Sequence, residues 1–290
     1  MLSTKEEWIQ WSEEGLLPGP EETEEFFLQR VHYCLSLKRR LSQVLGGALP
    51  FQAEELANPS FFYAVWKKTQ TLYGIKPSWV PLFFSNAKLA PWHGGCAWIF
   101  QLRETDPLSA LLQLRKNFAS QTKYLGLYDR NELLAHELAH VGRMAYQEPK
   151  FEEFFAYQTS DSWFRRLFGP LIQSSCESLI FVFSLLLMLI LQLWIPTEPL
   201  AQIALFLPLL LGCYALTRLG VRWYQFNQAS QKLFQILSNT DKAAAVLYRL
   251  TDREIKMLAS LSVEKILSHF EEHQEDSFRL KTLWVTLFSE

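Results

Sequence analysis

Two apolar runs separated by four residues constrain this chain more than any other feature. The first, Leu179 to Ile195, is broken only by Ser184 and Gln192, and the second, Leu200 to Leu216, only by Gln202. Each is close to the lower limit for crossing a hydrocarbon core, which takes roughly 17–25 residues. Pro196-Thr197-Glu198-Pro199 between them is too short for anything but a turn, so the runs read as adjacent antiparallel helices. Trp163 precedes the first run, Trp194 closes it, and Trp223 and Tyr224 follow the second. Aromatics at both ends are what a headgroup interface favours. Arg165, Arg166, Arg218 and Arg222 flank the open end of the hairpin, whereas the turn carries no Lys or Arg. By the positive-inside rule, this predicts a two-pass integral membrane protein with both termini in the cytoplasm. A pair of core helices in a soluble protein would keep a polar face, and these runs lack one. Glu177, close to the first run, is expected at the interface or against the partner helix.

A chain of 290 residues leaves room for soluble domains beside such a hairpin. The formal net charge is −2 and no long face concentrates Lys and Arg, which argues against nucleic acid as a partner. Cys34, Cys96, Cys176 and Cys213 are scattered and form no C-x-x-C pair, so neither a disulfide framework nor a cysteine zinc site is expected. Met1-Leu2-Ser3-Thr4-Lys5-Glu6-Glu7 has no basic start followed by an apolar core, and no secretory signal peptide is expected.

Before the hairpin, the pattern predicts an acidic first helix carrying Trp8 and Trp11, a break at Gly15 to Pro20, and a longer helix from Glu21 to Leu45 that Gly46-Gly47 ends. A helix over Pro59 to Tyr73 follows, then a short strand over Trp79 to Phe84 and a stronger one over Cys96 to Leu102. Residues 107–118 read as a helix, and Lys123 to Tyr128 as a strand or an extended lead-in. Beyond the hairpin, residues 225–290 alternate with helical spacing, and Thr251-Asp252-Arg253-Glu254 is a capping box.

The chemistry lies in one helix. Asp129 provides an acceptor at its N-cap, with Glu132 three residues on, and the helix continues Leu133-Leu134-Ala135-His136-Glu137-Leu138-Ala139-His140-Val141. Residues four apart share a helix face, so His136 and His140 can reach one metal ion. Glu137 is turned by about 100° from His136 and can reach water beside that ion. Zinc lowers the pKa of bound water to roughly 7, and a nearby carboxylate can take its proton. The apolar residues around the motif argue for burial of this helix rather than a solvated face.

A catalytic zinc takes a third protein ligand and keeps one position open. Pro149 suits the start of a second helix, Lys150-Phe151-Glu152-Glu153-Phe154-Phe155-Ala156-Tyr157, whose return would bring Glu152 or Glu153 to the two histidines. The H-E-L-A-H helix followed by a Glu on the next helix resembles the gluzincin branch of the zincin metallopeptidases. Membrane members similar to the heat-shock and CAAX-processing peptidases carry the third ligand in an E-x-x-A-D element. Glu153-Phe154-Phe155-Ala156-Tyr157 matches its first four positions, with Tyr157 in place of Asp, and the resemblance therefore implies Glu153 as the ligand. It covers about residues 95–160. In the heat-shock type the hairpin falls between the histidines and the third ligand, whereas here it follows that ligand.

The resemblance also implies an edge strand on which extended substrate pairs, for which Gly95 to Leu102 is the candidate. His93, in the turn before it, is a candidate for oxyanion contact or a structural loop residue, and Tyr146 and Tyr157 are candidates for electrophilic help. The expected architecture is α+β: a zincin-like metallopeptidase domain over about residues 1–165, a transmembrane hairpin over 170–220, and a helical cytoplasmic tail over 221–290. Its expected activity is zinc-dependent endopeptidase hydrolysis of membrane-associated protein or peptide substrates, with the site on the cytoplasmic face. His136, His140 and Glu153 would bind Zn2+, and Glu137 would be the general base. The rival readings are a non-catalytic membrane scaffold, resembling bacterial inclusion-membrane proteins, and a zincin fold without activity.

Overall fold

Capping chemistry sets the first helix starts. In the computed structural model, which describes residues 4–45, 47 and 49–288, α1 (Lys5–Glu13) begins at Thr4. The Thr4 side chain accepts from the Glu7 amide and the Glu7 carboxylate accepts from the Thr4 amide. Met1 to Ser3 of the N-terminal segment, and Gly46 of the expected helix stop, lie outside the described residues. Gly15, at φ +69°, reverses the chain. Thr23 then caps α2 (Glu24–Val44), and α3 (Tyr63–Tyr73) ends on Gly74 in the left-handed region.

A small sheet follows, made of β1 (Leu82–Phe84), β2 (Gly95–Phe100) and β3 (Ser109–Leu114) in the order β1-β3-β2. β1 runs parallel to β3, and β2 antiparallel to it with Ala97 opposite Leu112, which leaves β2 as an edge. The helix expected over residues 107–118 is instead the central strand β3, buried along its whole length. Leu108 to Leu114 is an almost unbroken apolar run, and such a run fits a fully buried strand as well as a core helix. Its one strongly polar side chain is satisfied. Gln113 donates to the Ser85 and Ala87 carbonyls at 2.9 Å each and accepts from the Trp98 indole at 2.8 Å.

Lys123 to Tyr128 becomes a hairpin of two short strands, β4 (Lys123–Tyr124) and β5 (Tyr128–Asp129), turned by Leu125 and Gly126 at positive φ. It leads into α4 (Arg130–Gly142), whose N-cap Asp129 accepts from the Asn131 and Glu132 amides at 2.9 and 3.1 Å. Glu132 does not complete a capping box. It accepts instead from Ser160 at 2.6 Å and Arg165 at 3.0 Å. α5 (Pro149–Gln158) starts at Pro149 and packs against α4, followed by the short α6 (Trp163–Phe168).

The apolar runs form α7 (Ser175–Trp194), then α8 (Pro199–Ala204) and α9 (Phe206–Leu237). α8 and α9 break at Leu205 because Pro208 has no N–H to give the Ala204 carbonyl. Two helical segments, Cys176–Trp194 and Pro199–Leu237, are long and apolar enough to cross a membrane, with mean hydropathy 2.3 and 1.9. Only 6% and 17% of their apolar windows are buried, unlike a core helix. Glu177 faces the partner helix: it meets Arg218 in a bidentate pair at 2.5 and 2.8 Å at the open end of the hairpin.

α9 runs past residue 221 without interruption and carries Leu219, Phe226, Ala229 and Leu233 into a second core. There it packs with α10 (Thr240–Tyr248) and α11 (Asp252–Ser260). α12 (Val263–His273) and α13 (Phe278–Leu283) follow, the last running into a π-helical turn over Trp284–Phe288. The first core joins α2, the sheet and one side of α4, while the second joins α5, α9, α10 and α11. The result is a helix-rich mixed fold with five short strands among the described residues.

Candidate metal centre

α4 lies between the two cores, with Leu134 and Leu138 in one and Ala139 in the other. That burial holds the helix still and leaves its His136–His140 stripe turned toward α5. The two Nε2 atoms are 3.4 Å apart. Glu153 completes a triangle, with Oε2 at 3.8 Å from His136 Nε2 and Oε1 at 3.7 Å from His140 Nε2. All three donor atoms fall within 4.8 Å of one another. A tetrahedral zinc with ligands at about 2.1 Å sets its donors about 3.4 Å apart, so the chemistry and spacing of this set fit such an ion.

Glu152 has a different place from Glu153. Its Oε1 lies 2.9 Å from His140 Nδ1, on the far side of the ring from the triangle. A carboxylate there keeps the proton on Nδ1 and the Nε2 lone pair toward the centre, the usual outer support of a ligating histidine. Glu137 reaches β2, where Oε2 accepts the Ala97 amide at 2.8 Å. It is 7% exposed.

The electrostatics follow from crowding three carboxylates around two imidazoles. Burial, reinforced by the Glu153 charge, pushes the Glu137 carboxyl up to about 7, although His140 and the Ala97 amide oppose it. Burial alone would lower His140, but the Glu152 hydrogen bond and the charges of Glu153 and Glu137 outweigh it and lift the imidazole to about 9. His136 goes the other way, down to about 3, through burial and then repulsion from a charged His140. Two imidazoles and a carboxylate at this spacing are a donor set of the kind that takes a divalent cation.

Tyr157 stands edge-on to His136, with ring centroids 4.8 Å apart, where the resemblance leads one to expect an Asp. Gly169 packs on it so closely that an added Cβ would meet the ring at 2.3 Å. Burial raises its phenol to about 12, so it is neutral at pH 7 and keeps a hydroxyl to donate. Tyr146 is not at the centre: its hydroxyl donates to the Arg249 carbonyl at 2.8 Å within the second core. The His93 carbonyl accepts from Arg115 at 2.9 Å, which makes this residue part of the turn's own bonding. His93 also lines a cavity of about 620 Å3 with His136, Tyr157, Phe164, Phe168 and Ile172.

The structure thus brings His136, His140 and Glu153 together, sets Glu137 against the Ala97 amide of β2, and leaves Tyr146 elsewhere. Sequence reasoning missed the Ala97 amide and the Glu152–His140 Nδ1 bond. The first is a backbone group without a sequence signature. The second was signalled only by two adjacent acids on one helix. No family model, curated protein or solved structure matches this chain.

Proposed function

We propose that this chain is a membrane-bound zinc endopeptidase with a zincin-like site. The observation that carries the reading is the convergence of His136 Nε2, His140 Nε2 and a Glu153 oxygen within 4.8 Å, with the buried Glu137 one residue from the first ligand. His136, His140 and Glu153 hold the ion, and Glu152 orients His140. Zinc supplies a Lewis acid that acidifies water and polarises a peptide carbonyl. Glu137 takes a proton from the attacking water and returns it to the departing amine nitrogen, work that suits a carboxyl poised near 7. The Ala97 amide fixes the Glu137 carboxylate for that transfer.

β2 is an edge, with β3 on one side only, and its Ala97 amide already faces α4. An extended substrate strand pairs along that edge and crosses the centre. The cavity beside His136 reaches Leu171, Ile172 and Ser178, at the entry to α7, so substrate approaches from the membrane side. α7 and the α8–α9 segment span the bilayer as a hairpin, with both termini and the site in the cytoplasm. Substrates on this reading are membrane proteins or their juxtamembrane segments.

The test is digestion of casein by the purified full-length chain, beside Glu137→Gln. Wild type cleaves and the variant, which still holds one zinc, loses about 10²–10⁴-fold in rate. Equal cleavage by both would exclude Glu137 as the base.

A further inference from the structure

The two helices that carry the donors pack on each other and are also tied together by a segment far along the chain. We infer that residues 248–252 form a clamp that fixes α4 against α5, making Tyr248 and Asp252 positioning residues for the metal centre. The inference rests on the metal-centre reading above.

On the α4 side, the last carbonyls of a helix have no intrahelical partner. The Arg143 amide turns back to the His140 carbonyl at 3.1 Å, and the Ala139 carbonyl receives the Tyr248 hydroxyl at 2.6 Å. Ala139 directly precedes the ligand His140. Tyr248 is fully buried and stacks on Tyr73 with centroids 4.3 Å apart. A Cβ at Gly142 would meet the Tyr248 hydroxyl at 2.3 Å, so glycine there is what admits the phenol to the helix end. The buried Arg143 guanidinium closes the same joint by donating to the Tyr248 and Leu250 carbonyls.

On the α5 side, Asp252 accepts the Lys150 amide at 2.9 Å and the Phe151 amide at 3.2 Å, in the first turn that also carries Glu152 and that Glu153 directly follows. The bond is returned: Glu148 accepts the Asp252 amide at 2.6 Å. Each helix, α5 and α11, is thus capped by the other's leading acid. Five consecutive residues hold the end of one ligand helix and the start of the other. Their own support is α9, against which α10 and α11 pack and which places Phe226 against Phe155 at 5.3 Å. Ligand sets tolerate departures of only about 0.2 Å, so slack at either joint is felt at the donors.

The experiment is zinc affinity of the full-length chain in detergent, by competition with a chromophoric chelator, alongside thermal unfolding of the zinc-free form. Asp252→Ala and Tyr248→Phe each weaken zinc binding by about 10–100-fold, the range seen for outer-shell supports. Asp252→Asn recovers part of the loss, because its amide oxygen still accepts one helix N–H. Val31→Ala, a core change far along the chain from the clamp, lowers the unfolding temperature and leaves zinc affinity as in wild type. Should Asp252→Ala not fold, Tyr248→Phe, which lacks a single oxygen, decides alone. Wild-type zinc affinity in both clamp variants would overturn the inference while leaving the metal centre standing. Failure of wild type itself to bind zinc would remove the metal centre and the clamp with it.

Discussion

Glu152 Oε1 lies 2.9 Å from Nδ1 of His140, while the adjacent Glu153 reaches Nε2 of the same ring at 3.7 Å. Two neighbouring acids thus address opposite nitrogens of one imidazole. On the proposed reading the first would fix the ring and the second would join it as a donor.

This division predicts different losses. Glu153→Gln removes an anionic ligand and leaves the purified protein with well under one zinc per chain. Glu152→Gln keeps the stoichiometry and weakens affinity by about 10–100-fold. Atomic emission for content and chelator competition for affinity separate the two. Equal losses would show that the acids are interchangeable.

The lifted His140 imidazole gives a pH dependence with a defined sign. In the metal-free protein its charge contributes stability in full below the ordinary value of 6.5, and that contribution is lost as pH rises through about 9. Zinc requires the neutral ring, so uptake between about 7, where Glu137 titrates, and about 9 displaces one proton. Affinity then rises about tenfold per pH unit across that window. Calorimetry in buffers of different ionisation enthalpy counts the proton. An affinity flat with pH would rule this account out.

The hairpin predicts sidedness. With Cys176 and Cys213 replaced, Thr197→Cys in the exposed turn reacts with an impermeant maleimide only from outside the cell. Ser260→Cys in α11 reacts only after the membrane is opened. Labelling of both positions from the same side, or release of the protein by alkaline carbonate, would refute two spans.

How much of this was legible beforehand depends on the range of each signal. The stretch Asp129 to Val141 is readable because cap, period and ligand spacing all lie within one helix. The hairpin is readable because polarity alone marks it. β3 is not legible because Leu108 to Leu114 carries no alternation, and its strand state comes from having β1 on one side and β2 on the other. The Ala97–Glu137 bond joins positions 40 residues apart, and Tyr248–Ala139 joins positions 109 apart. Nothing local in a single chain encodes such pairs. α9 passes position 220 without a break, because its Phe226, Ala229 and Leu233 enter a protein core.

Zinc K-edge X-ray absorption on the full-length chain tests most directly whether the three donors share one ion. One zinc per chain is expected in a shell of light atoms that includes two imidazoles, falling to one imidazole or to no bound zinc in His136→Ala. Wild type without zinc, or a His136→Ala spectrum identical to it, would show that the three donors do not share an ion.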